Sequence, residues 1–245
     1  SRDRPNLVSI QWVNSETGVI QPVGEIAAVC RNAGVLFHTD AAQAIGKLPV
    51  SVDDLDADFL TGTAHKFHGP AGVGFVYAKN PGGLFKLIHG GDQELGFRAG
   101  TENLAGIVGT GVAADIRRSR LDDVIRRLTE IRDMFESRLL AEFPWISVNG
   151  GGARACNTSN LMFAGLDGQA LMAQLDAIDI HCSQSSACTS RRPEPSYVLR
   201  AMGLSEEEAY SSVRFSFGEF NTVAEANEAA SRIVPVIRRL SELLT

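Results

Sequence analysis

The first eighty residues alternate short β-branched runs with helical patterns, and this alternation restricts the fold more than any other feature of the chain. Leu7-Val-Ser-Ile-Gln-Trp-Val13 has the length and composition of a strand. Residues 22–33 read as a helix, with Pro22 near its first turn and Gly34 as its C-terminal stop. Val35-Leu-Phe-His-Thr39 is a second short buried strand that ends at Asp40. Phe59-Leu-Thr61 reads as a third and Gly72-Val-Gly-Phe-Val-Tyr77 as a fourth. Strand, helix, strand at this spacing makes βαβ units, so the expected class is α/β with a mostly parallel sheet. Ligands of such sheets bind beyond the carboxyl ends of the strands. Asn14, Asp40 and the stretch from Thr63 to Lys66 all fall at or just past such ends, and one shared site is expected there.

Further along, His89-Gly-Gly-Asp-Gln-Glu-Leu-Gly-Phe-Arg-Ala-Gly-Thr101 is polar and turn-rich, a loop rather than an element. The pattern turns helical from about Asn103. Leu121, Val124, Leu128, Ile131, Phe135 and Leu139 recur at three- and four-residue steps and form one apolar face. This long helix is expected to lead from a large domain over residues 1–120 into a smaller α/β domain. The connecting helix and small domain are assigned to residues 121–245, and the small domain's own elements begin near Phe143-Pro144. Trp145-Ile-Ser-Val148, Ser159-Asn-Leu-Met-Phe163, residues 178–182 and Val213-Arg-Phe-Ser-Phe217 read as strands. Residues 168–177 and 196–202 read as helices, the second ended by Gly203. The last helix opens with a capping box at Thr222 and Glu225. Its buried face is expected at Ala226, Ala230, Ile233, Ile237, Leu240 and Leu244, and Pro235 should kink it.

Composition removes several function classes. A net charge of −6, from 23 basic and 29 acidic residues, argues against nucleic acid as a partner. No apolar run is long enough to span a membrane, so no membrane role is expected. The chain opens Ser1-Arg-Asp-Arg-Pro5 with neither an initiator Met nor an apolar leader, which suggests a fragment or a processed chain. Four cysteines at this length do not make a disulfide scaffold, and without a CxxC pair they argue against a zinc site. A reducing, cytoplasmic setting fits best.

Lys66 lies in Thr61-Gly-Thr-Ala-His-Lys-Phe-His-Gly-Pro70, where a buried strand runs into a turn. It reads either as a solvated loop lysine or as an amine held at a strand end, partly desolvated, with a depressed pKa. The second kind can form a Schiff base. Asp40, in His38-Thr-Asp-Ala-Ala-Gln-Ala-Ile-Gly46, is either a cap for a following helix or a partner for a pyridinium nitrogen. A pyridoxal phosphate ring stores electrons only while that nitrogen stays protonated. Gln43 would then hydrogen-bond the ring's phenolic oxygen. Asn14, in Asn14-Ser-Glu-Thr-Gly18, is a turn residue or a contact to substrate or ring. Cys188, in Ser183-Gln-Ser-Ser-Ala-Cys-Thr-Ser190, has hydroxyl neighbours and is followed by Arg191 and Arg192. That electropositive loop favours an exposed thiolate over an incidental surface thiol. Cys30 reads as core, while Cys156 and Cys182 stay undecided. Arg214, strand-borne between Val213 and Phe215, needs either an internal salt bridge or a carboxylate ligand. Thr63, His65 and Thr101 offer short donors for a phosphate group.

Together the motifs resemble a known family. Phe37-His-Thr-Asp-Ala-Ala-Gln43, Ala64-His-Lys-Phe-His-Gly-Pro70, Arg98-Ala-Gly-Thr-Glu-Asn103, Ser186-Ala-Cys-Thr-Ser190 and Glu194-Pro-Ser-Tyr-Val-Leu-Arg-Ala-Met202 stand in the order found in NifS/IscS-type cysteine desulfurases. These are pyridoxal-phosphate enzymes of fold type I within the class V aminotransferases. The resemblance implies that Lys66 carries pyridoxal 5'-phosphate and moves protons, Asp40 pairs with the pyridine nitrogen and Gln43 with the phenolic oxygen. It implies phosphate contacts from Thr63 and His65, and from Thr101 to the phosphate of a partner subunit in a homodimer. It assigns Asn14 and Arg214 to the substrate carboxylate, and makes Lys66, Cys188 and His65 the catalytic set. Cys188 would take sulfur from L-cysteine as a persulfide, leaving L-alanine, and hand it to an acceptor such as an iron–sulfur scaffold. Selenocysteine lyase is the neighbouring chemistry, and an inactive truncated chain acting as a binding subunit is the non-enzymatic alternative. Ser185 replaces the glycine usual in the cysteine loop. The first third of a full-length family member, with its glycine-threonine phosphate loop and ring-stacking histidine, has no counterpart here.

Overall fold

The computed structural model describes residues 4–184 and 194–243. It divides the chain into two units. The first comprises Ser1–Val13 and Gln21–Leu121; the second comprises Asn14–Ile20 and Asp122–Thr245.

In the first unit, β1 (Leu7–Gln11), α1 (Val23–Ala33), β2 (Leu36–Asp40), α2 (Val52–Leu55), β3 (Phe59–Thr63) and β4 (Gly74–Ala78) follow in order. Helix α1 ends where expected, because Gly34 takes the left-handed conformation at φ 61° and its N–H returns to the Arg31 carbonyl. The sheet order is β1-β2-β3-β4. β1 pairs with β2 and β2 with β3 in parallel, while β3 and β4 are antiparallel. The antiparallel return follows from connection length. Between β3 and β4 lies only a 3₁₀ turn, Ala64–Phe67, and a short loop, whereas a parallel crossover needs a dozen residues or more. Gly62 lets Phe75 lie against β3, since a Cβ there would fall 2.5 Å from the Phe75 ring.

Helix α3 (Leu104–Glu142) supplies its residues up to Leu121 to the first unit and the remainder to the second. In the second unit, β5 (Ile146–Val148), β6 (Thr158–Phe163), α4 (Gly168–Asp176), α5 (Tyr197–Ala201), α6 (Glu206–Tyr210), β7 (Ser212–Ser216) and α7 (Val223–Glu242) follow. β5, β6 and β7 form an antiparallel sheet. The apolar stripe of α3 is buried at Val124, Leu128, Ile131, Phe135 and Leu139. From it, Phe135 and Leu139 join Leu161, Phe163, Phe215, Ile233 and Ile237 in the main core. Helix α7 has the expected capping box, and Ala226, Ala230, Ile233 and Ile237 face inward. Leu240 is partly buried, Leu244 lies outside the described residues, and the helix continues past Pro235 to Glu242. The strand expected at residues 178–182 does not form. Asp179 adopts φ 57°, and the Ile180 N–H bonds the Leu175 carbonyl, so this segment closes α4 instead. Two short helices, α2 and α6, had no periodic apolar signal and are held by Ser51 and Ser205 caps.

A largely buried ion pair adds to the packing of this unit. Arg154 donates both terminal nitrogens to the Glu136 carboxylate, at 2.6 and 2.7 Å, with both side chains largely shielded from solvent. The carboxylate holds the guanidinium's pKa above its ordinary value. Glu136→Ala leaves a largely buried cation unpaired and is expected to cost about 3 kcal/mol of unfolding free energy. Urea titration at neutral pH checks this; a loss under about 1 kcal/mol would class the pair with ordinary surface bridges.

Candidate active site

Parallel register brings the carboxyl ends of β2 and β3 side by side. Asp40 is the register partner of Thr61, and the Ala41 N–H continues the ladder to the Thr61 carbonyl at 2.9 Å. Asp40 and the Thr63-to-Lys66 stretch therefore share one edge of the sheet. Asp40 is exposed; its Oδ1 accepts from the Ala42 N–H at 2.9 Å, and Oδ2 has no partner among the described residues. The carboxylate caps a turn rather than a helix, because residues 41–45 form a turn there. Gln43 accepts from Lys47 Nζ at both its side-chain oxygen, 2.9 Å, and its carbonyl, 3.2 Å. Its amide NH2 is thereby left as the free donor.

Lys66 is exposed rather than partly desolvated. Ala64 and Phe67 take the inward positions of the 3₁₀ turn, so His65 and Lys66 between them face out. The chain has four lysines. Lys47 is held by Gln43, Lys79 by Asp56 and Lys86 by Asp92. Lys66 alone has no hydrogen bond or ion pair among the described residues. Thr63 Oγ1 donates to the Val73 carbonyl at 3.1 Å and lies 2.9 Å from His65 Nδ1. A hydroxyl carries one hydrogen, so His65 Nδ1 donates the second bond and its Nε2 is left unengaged. Thr101 is exposed, in the stretch that precedes α3.

Asn14 and Arg214 belong to the second unit. Asn14 is buried, and its Oδ1 accepts from the Glu16 N–H, the Thr17 N–H and the Thr17 hydroxyl at 2.9, 3.0 and 3.2 Å. The turn reading thus accounts for its carbonyl oxygen. Arg214 sits on β7 between Asn160 of β6 and an isolated bridge to Ser183. Its Nη1 donates to the Ser15 carbonyl at 3.0 Å, while Nε is buried without a partner. Burial pushes the guanidinium's pKa down, opposed by the Glu16 charge. No salt bridge to Arg214 forms among the described residues, so the internal-bridge alternative is not met. Cys188 lies outside the described residues. Cys30 and Cys156 are buried. Burial, followed by the Asp176 charge, pushes the Cys182 thiol up to about 11, which keeps it protonated at neutral pH.

One residue in each unit had no local signal. Glu16 is buried, accepts the Ser196 hydroxyl, and its carbonyl takes Asn160 Nδ2 at 3.1 Å. A carboxylate inside Asn-Ser-Glu-Thr-Gly reads as a solvated turn residue until its distant partners are known. His38 stands on the Asp40 face of β2, with Nδ1 2.7 Å from Ser9 Oγ and Nε2 3.2 Å from Thr61 Oγ1.

The sequence pattern of the family "Aminotransferase class-V" matches residues 1–228. This chain belongs to that family. A cysteine desulfurase of Klebsiella pneumoniae is 42% identical over 241 residues, 98% of this chain and 60% of that protein. The chain thus spans 60% of the length of this curated relative. A solved NifS-like protein superposes with a TM-score of 0.87 at 33% identity, covering 96% of this chain and 62% of the other. A structure of SspA in complex with cysteine gives 0.73 at 34% identity, over 89% and 61%. The fold is that of the type I pyridoxal-phosphate enzymes, and class-V aminotransferases depend on this cofactor. The residues present suit it. The sheet edge of the class-V chain offers a free amine, a free carboxylate oxygen and a free amide donor, which are the groups an aldehyde, a pyridine nitrogen and a phenolic oxygen require. Among the described residues no helix is long and apolar enough to cross a membrane.

Proposed function

We propose that this chain carries the lysine-bearing part of a pyridoxal-phosphate-dependent cysteine desulfurase. The observation that carries the reading is the unpartnered Lys66 amine at the edge that also presents Asp40 and Gln43. The 42% identity to a cysteine desulfurase supports the reaction, and the cysteine complex of SspA supports the substrate. Residues 1–120 are the contribution to the cofactor domain, and residues 121–245 are the connecting helix and small domain.

Bound there, pyridoxal phosphate supplies an electron sink that labilises bonds of an attached amino acid. Lys66 holds the cofactor and shuttles a proton on Nζ. Asp40 Oδ2 keeps the pyridine nitrogen protonated, and Gln43 donates its NH2 to the phenolic oxygen. His65 donates its Nδ1–H to the phosphate once that hydrogen leaves Thr63 Oγ1. Thr63 joins it once its hydrogen leaves the Val73 carbonyl, and Thr101 serves the phosphate of a second subunit in a homodimer. Arg214 offers its unpartnered Nε to the substrate carboxylate, with the Asn14 amide beside it in this role. The Cys188 thiolate forms an S–S bond to the substrate sulfur as the C–S bond breaks. A proton returned to carbon completes L-alanine, and the outer sulfur of the persulfide passes to a cytoplasmic acceptor such as an iron–sulfur scaffold, with the Cys188 thiolate as leaving group.

The test is Cys188→Ser. Sulfide release from L-cysteine with a thiol reductant is expected to fall to background, while capture of pyridoxal phosphate on Lys66 persists. Sulfide production equal to the parent protein's would remove Cys188 from the reaction.

A further inference from the structure

Three polar side chains stand in one row across the second unit's sheet. Asn160 on β6 is the register partner of Arg214 on β7, and on its other side the Asn149 N–H bonds the Asn160 carbonyl at 2.8 Å. Asn149 and Asn160 are buried, and Asn149 Nδ2 donates to Asn160 Oδ1 at 2.8 Å. Asn160 Nδ2 is thereby turned to the Glu16 carbonyl, at 3.1 Å. Arg214 Nη1 donates to the carbonyl of the residue before it, Ser15, at 3.0 Å. Consecutive carbonyls of one turn thus rest on directly opposed residues of two neighbouring strands. The turn itself is closed by Asn14 Oδ1, which accepts from the Glu16 and Thr17 N–H groups.

These backbone contacts hold the turn without help from the Glu16 side chain, which is nevertheless a carboxylate only 2% exposed. It accepts the Ser196 hydroxyl, and no other hydrogen bond or ion pair reaches it among the described residues. One hydroxyl offsets little of the cost of burying a charge. A glutamine of the same length would accept that hydroxyl without the cost, so what a glutamate adds here is its charge. The cation that feels it is Arg214. Burial disfavours the guanidinium's charge, and the Glu16 charge opposes that. The guanidinium is planar, so an Nη1 fixed on Ser15 also fixes the direction of Nε, which is buried without a partner.

We propose that Glu16 is a positioning residue for Arg214: its carboxylate, pinned by Ser196, keeps the guanidinium seated on the Ser15 carbonyl with Nε free for a ligand carboxylate. A guanidinium without that fixed anion behind it leaves its seat for solvent, and a carboxylate that arrives must first reorder it. The inference rests on the reading above only in taking Arg214 as the group that meets the substrate carboxylate.

The probe is L-alanine, which presents the substrate's carboxylate without its sulfur, added to the nitrogen-labelled full chain without cofactor. The Arg214 Nε–H resonance is identified by its loss in Arg214→Lys. Glu16→Gln keeps the side chain's length and its acceptor for Ser196 and removes only the charge. The expected result is the parent's circular dichroism, an Arg214 Nε–H that exchanges with water about tenfold faster, and an L-alanine midpoint about fivefold higher. Glu16→Asp restores the charge and should recover part of both. If Glu16→Gln fails to fold, Ser196→Gly is read in its place with the same expected changes, since glycine is a tolerated helix cap and lacks the hydroxyl that pins the carboxylate. A folded variant whose Nε–H exchanges as slowly as the parent's overturns the proposal. So does one that exchanges faster yet binds L-alanine with the parent's midpoint. A parent Nε–H that ignores L-alanine but is freed by Glu16→Gln removes Arg214 from the proposed reaction and leaves the hold of Glu16 on it standing.

Discussion

Lys66→Ala is expected to abolish covalent capture of pyridoxal phosphate. Treated with the cofactor and borohydride, the parent protein should gain one cofactor mass per chain, on the peptide holding Lys66, and the variant none. The expectation is sharp because the alternatives are engaged. Lys47 gives its protons to two oxygens of Gln43, and Lys79 and Lys86 sit in ion pairs with Asp56 and Asp92. An amine whose hydrogens are held by a fixed acceptor or carboxylate is less available as a nucleophile. Label on Lys47, or undiminished label in the variant, would overturn the assignment of Lys66. Lys66→Arg should behave as the alanine variant does, since a guanidinium keeps the charge and lacks the nucleophilic amine.

Phe135→Ala is the largest expected loss of stability. The ring is 1% exposed and lies 5.0 Å from Phe215 and 5.3 Å from Phe217, the second pair edge-on. Truncation removes the buried ring and leaves a cavity walled by strands and by α7, which relax only in part. A cost of about 4 kcal/mol follows from comparable core truncations. Trp145, its ring tilted against Phe143 at 5.5 Å, gives a fluorescence signal from the same unit, and a Trp12→Phe background isolates it. A midpoint shift in urea worth less than about 1.5 kcal/mol would contradict the packing described for this core.

Part of the candidate site is legible in the sequence. Asp40 and Lys66 were placed at neighbouring strand ends by the length of the apolar runs, and the register of β2 and β3 puts them on one edge. Gln43 was visible as an amide three residues past the carboxylate. Its donor role became definite only with Lys47 bound to its oxygen. Lys66 was expected to be partly desolvated, and the turn instead spends its inward positions on Ala64 and Phe67. A motif shows which side chains lie near one another along the chain. It does not show which of them turn toward solvent.

What the sequence determined by itself was local. A left-handed glycine ends α1, a reciprocal Thr-Glu box starts α7, and a three-and-four spacing marks the buried stripe of α3, because backbone dihedrals and side-chain period are properties of a few adjacent residues. Only the tertiary structure decided the rest. Residues 14–20 belong with the second unit, and Glu16 is a buried carboxylate rather than a solvated one. Glu16 is held by Asn160 and Ser196, 144 and 180 residues away. The β4 return is antiparallel. Each of these depends on contacts between residues far apart in the chain, or on the direction of a connection. Local propensity carries no record of either.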